Sequence, residues 1–209
     1  MSWSEKLSIR IARKLVTEKS TFTVGQVSHG IEIFLLYVLT AISILIFSWF
    51  LGSMIETILL SFVYFLFRNF TGGVHLRSPH TCFLLGNLLV LSLGFLSKHF
   101  PASNLLLIYV LVFGLSGMAL LINWHHAPAN HTYVTISDDR KRKSKKIVVT
   151  LSFIGCLFLF FLVYFGYYSL AISYSWAVLL QAILLHPFAF HLVKHVEHHF
   201  YEKGLKGNV

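Results

Sequence analysis

The densest set of reactive side chains in this sequence is the stretch Arg68–Cys82, RNFTGGVHLRSPHTC. It holds a thiol, two histidines, two arginines, two glycines and a proline. A thiol beside an imidazole is the simplest activated nucleophile: the ring takes the proton and the thiolate attacks a carbonyl. In one continuous helix His75 and Cys82 would be separated by two turns, roughly 10 Å, too far for that exchange. Pro79 argues against such a helix, and Gly72-Gly73 loosens the chain upstream. The pattern instead predicts a new helix with Ser78 as N-cap and Pro79 as its first residue. Cys82 then falls in the first turn or just beyond it, where the positive end of the helix favours a thiolate. The loop from Gly72 to Arg77 can fold His75 back toward the sulfur. Backbone N–H groups near Gly72-Gly73 or at the helix start are candidate donors to an oxyanion. Glu32 and Asn87 are candidates for a third, orienting group.

The elements that carry this segment are membrane helices. Of 209 residues, 56% are hydrophobic and only 12% are charged, against about a quarter charged in ordinary soluble domains. A core of this size cannot bury so much apolar surface, whereas a bilayer can solvate it. The chain therefore reads as all-α: a single polytopic membrane domain, 1–209, with an amphipathic segment in 1–30, spans in 31–192 and a tail in 193–209. Six apolar runs predict spans near Ile31–Leu51, Ser53–Phe67, Thr81–Ser97, Asn104–Ile122, Ile147–Phe165 and Leu170–Phe190. The second is short and carries Glu56. No cleavable signal peptide is expected, because the first long apolar run starts only near Ile31.

Charge orients the spans. Sixteen of the seventeen Lys and Arg fall on one side of a six-span arrangement, and Lys98 alone falls on the other. Both termini, the 68–80 connection and the basic run Arg140, Lys141, Arg142, Lys143, Lys145, Lys146 are therefore expected in the cytoplasm. The net charge of +9 fits that bias and contact with anionic lipid, so no nucleic-acid partner is expected. Near the N-terminus Trp3, Leu7, Ile11 and Leu15 recur every four residues beside Lys6, Arg10 and Lys14. That pattern predicts a helix lying on the membrane surface, or one packed on the protein.

The 68–82 stretch resembles the AgrB family of membrane cysteine endopeptidases in Arg68, Phe70, Thr71, Gly72, Gly73, His75 and Cys82. The basic amphipathic start, the number of spans, Ala127-Pro128 and the basic run after it extend the resemblance over nearly the whole chain. One departure is the stretch after Ala-Pro, Ala129-Asn130-His131-Thr132-Tyr133, where family members often carry an acidic-Asn-Lys-Pro-like sequence. The resemblance implies that Cys82 attacks a scissile carbonyl near the C-terminal end of a small AgrD-like precursor peptide, with His75 as base and then acid. The acyl-enzyme thioester would then be displaced by a thiol or hydroxyl of the peptide, closing a (thio)lactone quorum-sensing signal. It implies a bacterial cell-membrane location and no cofactor, and leaves a homodimer open. Arg68, Gly72, Gly73 and Arg77 become candidates for substrate or oxyanion contacts, and the basic run for gripping an acidic precursor tail. Arg68 and Arg77 could equally anchor the interface, and the basic run could be a topology signal alone.

Two rival readings differ in class. His191, His195, His198 and His199, with His125-His126, imitate histidine boxes of a metal-dependent membrane enzyme, or could hold zinc. Di-iron enzymes of that kind need about eight ligands in three boxes, and here two boxes share His195. A noncatalytic transporter or scaffold would leave the Gly-Gly-x-His and Cys82 without a purpose. Cys156, inside an apolar run, reads as a packing or lipid-facing residue, and His80 as interfacial.

Overall fold

In the computed structural model, the residues described are 3–17, 20–74, 76, 78–101, 104–129 and 137–197. They form eight helices, α1 Trp3–Leu15, α2 Val24–Phe50, α3 Met54–Thr71, α4 Pro79–Lys98, α5 Leu105–His126, α6 Asp138–Tyr164, α7 Tyr168–Leu185 and α8 Pro187–Glu197. Strands are absent among the described residues. Six of the helices, α2 to α7, are long and apolar enough to cross a bilayer. The protein is an all-helical, multi-pass membrane protein.

Local chemistry sets the helix boundaries. Thr23 and Gln26 form a reciprocal capping box at the start of α2, so that helix begins upstream of the apolar run at Ile31. Asn104 accepts from the Leu107 amide and starts α5. The basic run lies in the first two turns of α6, not in a loop, because Asp138 and Asp139 occupy the helix's positive end. The expected last span, Leu170–Phe190, is broken. Pro187 cannot continue the hydrogen-bond ladder and pushes its predecessor out of the helical region. His186 is extended, at φ −66 and ψ 140, and α8 starts afresh at Pro187.

α7 is the hub. In its apolar window 61% of residues are buried, against 17% for α2 and α5. It packs on α3, α4, α5 and α6. Small residues bring the helices close, as lipid-embedded bundles require. A side chain at Gly94 on α4 would run into Thr57 on α3, and one at Gly155 on α6 would strike the Tyr174 hydroxyl on α7. Glu56, the charge that made the second span look doubtful, is buried at the start of α3. Lys98 lies 3.3 Å from its carboxylate, and Ser169 donates to it at 3.0 Å.

The N-terminal helix packs on the protein, the second of the two arrangements expected for it. Its small stripe, Ser4, Ser8 and Ala12, is buried, and α1 packs along α2. Trp3, Leu7 and Leu15 stay exposed, as do Lys6, Arg10 and Lys14, leaving an apolar and basic surface for the membrane interface.

Candidate active site

The site is built where α3 ends. Gly72 closes the helix, its amide donating to the Arg68 carbonyl at 3.0 Å. Its φ of +71 and the +134 of Gly73 lie in backbone territory that side chains rarely tolerate. Gly73 is doubly constrained: a Cβ there would collide with the Arg68 guanidinium and come within 3.1 Å of the Leu184 carbonyl.

Three attachments then fix this turn. The Val74 amide donates to the Leu184 carbonyl of α7 at 3.0 Å, and the Ala129 amide, just past α5, donates to the Thr71 carbonyl at 3.0 Å. Gln181, fully buried on α7, donates through Nε2 to the Thr71 hydroxyl and, at 2.8 Å, to the Gly72 carbonyl. Arg68 folds over the turn and donates from Nη2 to the Val74 carbonyl. Its guanidinium also stands 5.9 Å from the Tyr64 ring centre, a cation–π distance. The other terminal nitrogen, Nη1, is buried without a hydrogen-bond partner among the described residues.

His75 and Arg77 lie outside the described residues. Beyond them the expected helix start is present: Ser78 is the N-cap, its hydroxyl accepting from the Thr81 amide, and Pro79 opens α4. Cys82 is the fourth helical residue, half-buried and reduced, with its amide bonded to the Ser78 carbonyl at 3.1 Å. Tyr64, buried on α3, carries the Arg68 guanidinium over its ring, and α3 packs against α4, the helix that bears Cys82. Of the candidate oxyanion donors, the amides of Gly72, Val74, Thr81 and Cys82 are already engaged.

Both candidate orienting residues have partners among the described residues. Asn87 donates to the Phe83 carbonyl of its own helix at 2.9 Å. Glu32 accepts from the Ser4 hydroxyl at 2.7 Å, and Ser4 Oγ is 3.3 Å from His80 Nε2. Cys156 is exposed on α6.

Around the start of α6, Arg142, Lys143, Lys145 and Lys146 are exposed. Lys141 lies 3.7 Å from Asp138 and the Lys145 ammonium 5.5 Å from the Trp124 ring centre. Arg140 belongs to the same first turn. Residues 141–146 span more than about one and a half turns, so their charges form a collar around the helix. His191 and His195 are exposed on α8, while His198 and His199 lie outside the described residues. Among the described residues no three His, Cys, Asp or Glu side chains group as metal ligands.

Sequence reasoning missed Gln181 and Ser4. A glutamine inside an apolar span is itself a signal of a polar role, and Gln181 could have been singled out on that ground.

Fold and site define a six-span membrane protein with a half-buried thiol at the start of one span and a pinned Gly-Gly turn at the end of the span before it. Residues 5–185 match the Accessory gene regulator B family, and the chain belongs to that family. A protein named as AgrB-like from Clostridium perfringens (strain SM101 / Type A) is 25% identical over 189 residues, 86% of each chain. No solved structure matches.

Proposed function

We propose that this protein is a membrane cysteine endopeptidase that cuts a small AgrD-like precursor and promotes cyclisation of the released segment. The observation that carries the reading is the placement of Cys82, half-buried in the first turns of α4, a helix that packs on α3, whose end runs into a Gly-Gly turn stapled to α7. Family membership over residues 5–185 supports it.

In this reading His75 takes the Cys82 proton and the thiolate adds to the scissile carbonyl. The tetrahedral intermediate collapses as His75 returns the proton to the leaving amine, and the C-terminal fragment departs. The acyl group, held as a thioester, keeps much of its activation. A thiol or hydroxyl within the peptide then displaces Cys82 and closes the ring, its proton restoring the starting state. Arg68 Nη1, a buried donor without a partner among the described residues, is suited to an oxyanion or a substrate carbonyl; Arg77 is a second candidate for substrate contact. The collar of Arg140, Lys141, Arg142, Lys143, Lys145 and Lys146 receives the acidic tail of the precursor on the cytoplasmic side, where both termini also lie.

The test is cleavage of a tagged precursor by the full-length protein in liposomes. Cys82→Ala and His75→Ala lose cleavage, and Cys82→Ser is nearly as poor because a hydroxyl is far less acidic than a thiol. Cys156→Ala keeps it. Cleavage at the parent rate by Cys82→Ala refutes the proposal.

A further inference from the structure

The start of α4 is weakly held by its own cap. The Thr81 amide reaches Ser78 Oγ at 3.5 Å, at the outer limit for a hydrogen bond, and Pro79 has no N–H to offer. Helix ends held this loosely are the first parts of a fold to open. Yet this end carries Cys82. A second restraint comes from outside the helix, through His80.

His80 is the second residue of α4. At about 100° per residue it projects roughly 200° away from Cys82, so it is poorly placed to serve the thiol as a base. Its ring faces α1 instead, with Nε2 at 3.3 Å from Ser4 Oγ and the Trp3 indole 6.3 Å away between ring centres. Ser4 is fully buried and gives its hydroxyl proton to Glu32 Oε1 at 2.7 Å. A hydroxyl has one proton to give, so toward His80 the Ser4 oxygen accepts. The connected chain is therefore His80 Nε2–H to Ser4 Oγ–H to the Glu32 carboxylate, with one member on each of α4, α1 and α2. Such a chain is cooperative, and removing one member weakens the coupling it provides between the three helices at this part-buried junction.

We propose that Ser4, Glu32 and His80 form a positioning latch through which the N-terminal helix α1 fixes the start of α4 and so aims Cys82. All three are positioning residues. The proposal rests on the reading of Cys82 as the nucleophile. It gives α1 a role beyond membrane contact: the same short helix that presents Trp3, Leu7 and Leu15 outward braces the reactive helix from within.

The test uses the full-length protein in liposomes, in a Cys156→Ala background so that one thiol remains. The first readout is the rate of Cys82 alkylation by N-ethylmaleimide, which needs no precursor. The second is kcat and KM for precursor cleavage. Ser4→Ala and His80→Ala should each change the alkylation rate about threefold or more and lower kcat with KM unchanged. The double variant should be no worse than the poorer single one, because both remove one connected unit. His80→Gln, whose amide nitrogen can donate over a similar reach, should recover most of the loss, and Glu32→Gln, which keeps an acceptor oxygen, should lose less than Glu32→Leu. Additive effects of Ser4→Ala and His80→Ala, or unchanged alkylation and kcat in both, would overturn the latch. If Cys82→Ala cleaves like the parent, the peptidase reading falls, while the alkylation coupling still reports on the latch separately.

Discussion

Gln181 and Thr71 stand 110 residues apart in the chain and meet side chain to side chain beneath the Gly-Gly turn. The same amide nitrogen also holds the Gly72 carbonyl. A loop joining two membrane spans is thereby tied to a third span at the hub of the bundle.

Removing that tie should cost activity before it costs the fold. Gln181→Leu keeps the volume and leaves the Gly72 carbonyl and Thr71 hydroxyl short of a donor, at about 1–3 kcal/mol for buried groups. We expect kcat for precursor cleavage to fall about tenfold or more, with little change in yield of folded protein. Steady-state cleavage with size-exclusion of the purified variant checks both. Unchanged kcat would mean that the turn holds its shape without the Gln181 side chain.

Two glycines on neighbouring elements should respond in opposite ways. Gly73→Ala forces a side chain into an unfavourable φ and against Arg68 and the Leu184 carbonyl, a strain of about 1–3 kcal/mol. Its melting temperature and its cleavage rate should both drop. Gly86→Ala on α4 meets nothing within 4 Å and should match the parent in thermal unfolding and in activity.

The basic collar tests recognition and topology together. Neutralising Arg142, Lys143, Lys145 and Lys146 should raise the apparent KM for an acidic-tailed precursor while kcat holds, each charge near the surface contributing about 1 kcal/mol. A precursor with a neutral tail should not discriminate parent from variant. A cysteine at position 143 should be labelled only from the cytoplasmic side. External labelling would invert the proposed orientation.

How much of this was legible in the sequence differs by residue. The helix start at Ser78 and Pro79 was readable because capping is local chemistry, written within four residues. Six spans were readable because apolar length is summed along the chain. The end of the last one was misplaced because the apolar character of Phe188 and Phe190 outweighed Pro187 in that sum, whereas a single proline decides the backbone. The basic run fell outside the span expected from Ile147 because it is not apolar, yet Asp138 and Asp139 at its head mark a helix start. The contacts of Gln181, Ser4 and Glu32 were not readable, because each acts across helices far apart in sequence. The glycines read as loosening the chain, but in the structure they do the reverse and permit a tight turn that four neighbours hold still.

The cysteine mechanism stands on acylation of Cys82 during turnover. It is read most directly by intact-mass and peptide-level mass spectrometry of the liposome-embedded protein, quenched in acid during precursor cleavage. The expected adduct has the mass of the N-terminal precursor fragment and sits on Cys82. Hydroxylamine should release it, as it releases a thioester, and it should be absent from Cys82→Ala, which does not cleave. Parent-rate cleavage by Cys82→Ala, or turnover without any adduct and abolished by a chelator, would refute the mechanism.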